Sequence, residues 1–145
     1  MLAYIAAPLF SDAERSYNEE LRALLSKHVT CYLPQRDGIV LAHAVDDGAD
    51  REHTASMVFS ADIAALRSAH VVIAVLDGSE VDAGVAVEIG VAWAIGKRVF
   101  GLRTDTRRPV SGGLNPMVEG ACHRIAATID ELLRLVIADN EKPES

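Results

Sequence analysis

One carboxylate stands alone in an apolar run. Residues 81–96 read VDAGVAVEIGVAWAIG, and between Asp82 and Lys97 the only charged side chain is Glu88. Burying an unpartnered carboxylate is costly, so a chain that keeps one there gives it a partner or a task. Asp82 falls at the start of the same helix, well placed as its N-cap. Gly84 lies one helical turn before Glu88 on the same face, which predicts open space beside the carboxylate, as a substrate site needs. Asp62 is a third acid expected near them. Paired carboxylates in a partly buried site suit glycosyl chemistry. One attacks the anomeric carbon, and another holds or delivers a proton because neighbouring charges drive their pKa values apart. Retention of configuration requires the two groups to lie about 5 Å apart. The same residues also fit a plainer reading, with Asp82 only a cap and Glu88 the buried partner of an arginine.

Ordered elements must bring such acids together. LAYIAAPLF opens with a short apolar run closed by proline, a buried strand over Leu2–Ala6. SDAERSYNEELRALLSKH follows as an amphipathic helix, with Ser11 or Asp12 as its cap and Tyr17, Leu21, Leu24 and Leu25 on one face. VTCYLP is a second strand, and 35–50 reads as a long loop. A helix is expected over Arg51–Ser68, carrying Met57, Val58, Ile63 and Leu66. HVVIAVLDG is the strongest strand signal, a β-branched run ended by an Asp-Gly turn. The Glu88 helix comes next, then a strand in RVFGLR, a second long loop in TDTRRPVSGGLNP, a short strand in CHRIAA and a closing helix in TIDELLRLVIADN capped by Thr128. Alternating strands and helices predict a parallel sheet of about five strands, covered on both faces. Ligands of such sheets bind beyond the carboxyl ends of the strands, where strand order reverses. That rim would carry Pro8, Gln35, Asp77 and Arg103.

At 145 residues the chain is one domain, expected over 1–140 with a disordered tail over 141–145. Half of its residues are hydrophobic and 24% are charged, the balance of a soluble globular protein. The net charge of −7 argues against polymeric nucleic acid or an anionic membrane as partner, while uncharged nucleosides remain open. Cys31 and Cys122 form no CxxC pair, which fits a reducing cytoplasm. MLAYIAAPLF is too short and uncharged for a signal peptide, and no apolar run is long enough to span a bilayer.

YIAAPLFSDAERSYNEEL, LPQRDG, SADIAAL, VLDGSEVDAGVAVEIGVAWAIGKRV, RTDTRR and LNPMV, in that order, resemble the nucleoside 2-deoxyribosyltransferases. The block from Asp82 to Gly90, D-x-G-x-x-x-E-x-G, is the most specific element. The resemblance implies a single-domain Rossmann-like (flavodoxin-like) α/β fold and a ping-pong transfer of 2-deoxyribose between nucleobases, in nucleotide salvage. It implies Glu88 as nucleophile, forming a deoxyribosyl ester that a new base attacks from the opposite face. Asp62 and Asp82 correspond to carboxylates that bind base or sugar and assist proton transfer to the leaving base. Tyr4 corresponds to a tyrosine that orients the nucleophile, Phe10 to an aromatic contacting the base, and Gln35 to a polar residue reaching the base edge. Asn115 and Met117 correspond to a pair lent to a neighbouring subunit's site, with Asn115 at the sugar 5′-hydroxyl. A homo-oligomer follows, with neither metal nor cofactor.

Two departures bear on the substrate. The polar tail NEKPES does not obviously enter an active site, as the C-terminus does in some family members. AAPLF lacks the Gly-rich, Arg-containing turn that related nucleotide hydrolases use for a 5′-phosphate, which favours nucleosides. Arg103, Arg107 and Arg108 are open to two readings, a phosphate contact or surface pairing with Asp105. His43 and His53 lie in or beside the first long loop, either reaching the base or facing solvent. The histidines show no paired ligand spacing, and neither a dinucleotide nor a P-loop motif occurs. Trp93 reads as core or interface, Tyr32 as packing in the second strand or at its edge, and Gly112-Gly113 as a turn that positions Asn115. The alternative activity is an N-glycosidase that hydrolyses nucleosides or nucleoside 5′-monophosphates through the same Glu88 ester. A non-catalytic nucleotide-binding module is the third reading; a receiver-like domain would cluster acids after its first strand, where this chain has AAPLF.

Overall fold

The computed structural model describes residues 1–39, 48, 50–107 and 113–141. Five strands, β1 (Leu2–Ala6), β2 (Thr30–Tyr32), β3 (Val71–Val75), β4 (Arg98–Leu102) and β5 (Arg124–Ala126), form one parallel sheet in the order β2-β1-β3-β4-β5. The described helices are α1 (Asp12–Leu25), α2 (Pro34–Asp37), α3 (Arg51–Ser68), α4 (Ala83–Ala94), α5 (Pro116–Ala121) and α6 (Ile129–Asn140). This is the doubly wound, flavodoxin-like α/β arrangement, and its strand order reverses between β1 and β3.

Alternation along each strand divides the core in two. Ala3, Ile5, Val71, Ile73, Phe100 and Leu102 face one side, with Leu21 and Leu25 of α1 and Leu132 and Val136 of α6. Tyr4, Ala6, Val72, Ala74 and Val99 face the other, with Leu66 of α3, Val85, Ile89 and Ala92 of α4, and Val118 of α5. A central strand covered on both faces must be apolar throughout, and all five residues of β3 are buried.

Local chemistry sets most helix boundaries. Ser11 starts α1 with a capping box, its hydroxyl accepting from Glu14 N–H while the Glu14 carboxylate accepts from Ser11 N–H. Asp50, Asp82 and Thr128 cap α3, α4 and α6 by accepting from the backbone N–H of His53, Val85 and Glu131. Two helices depart from the loops expected there. Pro34 opens α2 at the first helical position, where its missing N–H costs nothing, and Asp37 accepts from Leu33 N–H. Asn115 caps α5 by accepting from Met117 N–H at 2.9 Å, followed by Pro116. In both cases a proline at a strand end or in an expected loop opens a helix. His43, Arg108, Gly112 and the tail from 142 onward lie outside the described residues.

Candidate active site

The sheet and α4 together place Glu88. Val85, Ile89 and Ala92 turn inward onto β3 and β4, which fixes the rotation of α4. Glu88 then flanks that seam, half-buried, on the side towards β1 and α3. Tyr4 projects from β1 to the same face and is fully buried. Its hydroxyl donates to Glu88 Oε1 at 2.5 Å, a bond between residues 84 positions apart in the chain. The lone carboxylate therefore has a partner, but a phenol and not a cation. No described residue donates to Oε2.

Asp62 and Asp82 share this environment. Burial raises the Glu88 carboxyl from 4.5 to about 7; the Tyr4 bond opposes the shift, and the charges of Asp62 and Asp82 add to it. Burial also raises the Asp62 carboxyl to about 6, and its Oδ1 is buried without a hydrogen-bond partner. Asp82 spends Oδ1 on the cap, accepting from Val85 N–H at 3.1 Å. A β-carbon added at Gly84 would meet only Asp82 Oδ1, at 3.1 Å, so that position is open apart from the cap. Tyr4 is held far above the ordinary phenol range by its burial first and by the Glu88 charge second, so it remains a donor at neutral pH.

These shifts carry a stability cost with a definite sign. The folded state binds the Glu88 proton more tightly than the unfolded chain, so stability is lost as pH rises from about 4.5 to about 7. At about 1.4 kcal/mol per unit, the cost approaches roughly 3 kcal/mol above neutrality. Glu88→Gln keeps an acceptor for Tyr4 and removes the charge. Denaturant unfolding is expected to find this variant more stable than wild type at about pH 8, with the gap closing towards about pH 4.

Other sequence candidates fall elsewhere. Gln35 has its amide turned into α1. It accepts from Asn18 Nδ2 at 2.9 Å and donates to Arg15 O at 3.0 Å and to Glu19 Oε1 at 3.2 Å. Asn18 is buried and needs such partners. Phe10 is exposed at the end of the β1–α1 turn. Asn115 and Met117 line an apolar cleft of about 490 Å³ with Ala86, Gly90 and Trp93 of α4. At 100° per residue, Ala86 and Glu88 point 200° apart, so Asn115 and Met117 lie on the far side of α4 from Glu88 within one chain. Arg107 pairs with Asp105, the surface reading of the basic trio, whereas Arg103 lines a second cleft of about 600 Å³ with Ser79, Leu114 and Asn115. His70 Nδ1 accepts from Leu2 N–H, and among the described residues no group of acids, histidines and cysteines could hold a metal ion.

Tyr32 is a neighbour of the site that sequence reasoning left in the packing of β2. Its ring stacks on Tyr4, with centroids 5.5 Å apart and planes 15° from parallel. The available signal was a second tyrosine near the end of a strand, but the pairing of those strands is not written in either segment.

The sequence profile described as Nucleoside 2-deoxyribosyltransferase matches residues 3–144. The chain belongs to the nucleoside 2-deoxyribosyltransferase family. No curated protein sequence matches it. Among solved structures it is similar to a conserved protein from Enterococcus faecalis V583, at 28% identity and a TM-score of 0.82, covering 95% of this chain and 98% of that one. A 2-deoxyribosyltransferase from Bacillus psychrosaccharolyticus shares the fold at 19% identity and a TM-score of 0.72, over 92% of this chain and 90% of the other. A CMP N-glycosidase from Clostridium botulinum does so at 20% identity and a TM-score of 0.59, over 94% and 98%. Among the described residues of this deoxyribosyltransferase-family chain, no helix is long and apolar enough to cross a membrane.

Proposed function

We propose that the protein transfers 2-deoxyribose between nucleobases by double displacement at Glu88. The observation that carries this reading is the 2.5 Å bond from Tyr4 to Glu88 Oε1, on a carboxylate with two further acids nearby and no described donor to Oε2. Oε2 attacks C1′ of the nucleoside, the C1′–N bond breaks, and its electron pair goes to the base nitrogen, which takes a proton with help from Asp62 or Asp82. The missing 2′-hydroxyl eases the oxocarbenium-like transition state. A second base then attacks C1′ of the ester from the opposite face, releases the Glu88 carboxylate, returns its proton to the acids and restores the β configuration.

Raised carboxyl values suit this cycle. Near neutrality Glu88 and Asp62 titrate together, so the cluster offers both an ionised nucleophile and a retained proton. Asn115 and Met117 support a site completed in trans, because within one chain α4 separates them from Glu88. Mixing Glu88→Ala with Asn115→Ala protein is then expected to restore part of the activity each lacks alone, as hybrid assemblies form. Two silent proteins that stay silent when mixed contradict completion in trans.

The reaction itself is tested by incubating the protein with 2′-deoxyinosine and free adenine, followed by chromatography. New 2′-deoxyadenosine supports transfer. Free hypoxanthine and deoxyribose, without exchange, assign the chain instead to N-glycosidases, where water takes the place of the second base. Repeats with pyrimidine deoxynucleosides and with 5′-monophosphates define the substrate range.

A further inference from the structure

We infer that Tyr32 is a positioning residue for the nucleophile, its ring holding the Tyr4 phenol in line with Glu88. The inference rests on the reading of Glu88 as nucleophile. Tyr4 and Tyr32 are Cα partners in the β1–β2 pairing, so the sheet itself sets the two rings side by side. At 5.5 Å and 15° they are stacked, and the Tyr4 hydroxyl is then aimed at Oε1. Among the described residues Tyr4 alone donates to the carboxylate, through a single bond, so a small swing of its ring lengthens that bond and changes the acidity of Glu88.

Tyr32 is in turn confined. Its hydroxyl lies over Gly38, where an added β-carbon would come within 3.0 Å of it and within 2.8 Å of Pro34 O. The turn at Gly38, closed by its N–H on Pro34 O, borders the Tyr32 side chain through that hydroxyl, and the ring's own contact is the stack on Tyr4. Burial raises the Tyr32 phenol, with the charges of Asp62 and Asp37 adding to it, which places this ring in the field of the acidic cluster. A side chain that served only to close the edge of the sheet would not need the parallel stack on Tyr4.

The role belongs to the ring and not to its hydroxyl, which makes Tyr32→Phe and Tyr32→Leu an informative pair. Deoxyribose exchange is measured alongside the Glu88 titration, followed by ¹³C NMR of labelled carboxyl groups and assigned by its absence in Glu88→Gln. Tyr32→Phe is expected to stay within about twofold of wild type. Tyr32→Leu is expected to lose about tenfold, mostly in kcat, and to titrate Glu88 at higher pH because the Tyr4 bond that favours the carboxylate is loosened. In a Tyr4→Phe background the same Tyr32→Leu change should add little, since the bond it acts through is already gone.

A Tyr32→Leu protein that melts earlier but leaves the Glu88 titration unmoved overturns the inference, and so does full additivity with Tyr4→Phe. Wild-type protein that exchanges no bases under any substrate condition instead overturns the reading of Glu88. The titration difference between Tyr32→Leu and Tyr32→Phe still decides the positioning role in that event.

Discussion

Glu88→Ala is expected to abolish base exchange, by four orders of magnitude or more. The expectation follows from what the proposed mechanism asks of this side chain. It is the atom donor of the intermediate, and its loss removes the covalent route entirely. Asp62 and Asp82 cannot substitute. Asp82 Oδ1 is tied to the N-terminus of α4, and Asp62 projects from a different helix without the Tyr4 bond. Chromatography of the two-base reaction reads the loss, and a fold check by circular dichroism separates it from misfolding. Retained exchange within tenfold of wild type contradicts the assignment.

The second large effect is expected at Tyr4. A hydrogen bond to a charged group contributes about 1.5–3 kcal/mol, so Tyr4→Phe is expected to lower kcat by about 10- to 100-fold. The variant keeps the ring, and with it the packing against Ala6, Val72 and Tyr32 that a smaller side chain would surrender. Only the donor is lost. Because that donor lowers the Glu88 value, the carboxyl of Tyr4→Phe should titrate above about 7, and less of the nucleophile is ionised at neutral pH. Carboxyl ¹³C NMR reads the shift directly. An unchanged titration would mean that the phenol orients Glu88 without stabilising its charge.

Much of this site is legible in the sequence because its parts lie on strongly patterned elements. An apolar run broken by one acid marks Glu88, and an acid just before a helix marks the cap at Asp82. A buried strand over Leu2–Ala6 makes Tyr4 interior on either face, and the family resemblance implies its place beside Glu88. The sequence is less informative where a residue's surroundings depend on elements distant in the chain. Gln35 sits on the expected rim, yet the buried Asn18 of α1 claims its amide. Asn115 falls in the expected second long loop, yet Asn followed by Pro is also a cap and a first-turn proline. Tyr32 shows the same limit most clearly. Its stack with Tyr4 exists because β2 pairs with β1, and strand order follows from how the helices cover the sheet.

Charge economy explains why the site is built as a cluster. An isolated buried acid at Glu88 would simply hold its proton at neutral pH. One phenol donor moves the balance back towards ionisation, while the charges of Asp62 and Asp82 push it the other way. The cost in stability is local and switches off below about pH 4.5, where Glu88 is neutral in both folded and unfolded chains.

The most direct test of the Glu88 ester is mass spectrometry of protein quenched in acid during turnover of 2′-deoxyinosine with no acceptor base. The predicted result is one deoxyribosyl increment on the peptide that contains Glu88, discharged when adenine is added and absent from Glu88→Gln. Steady turnover without any adduct, or an adduct on Asp62 or Asp82, would contradict the account.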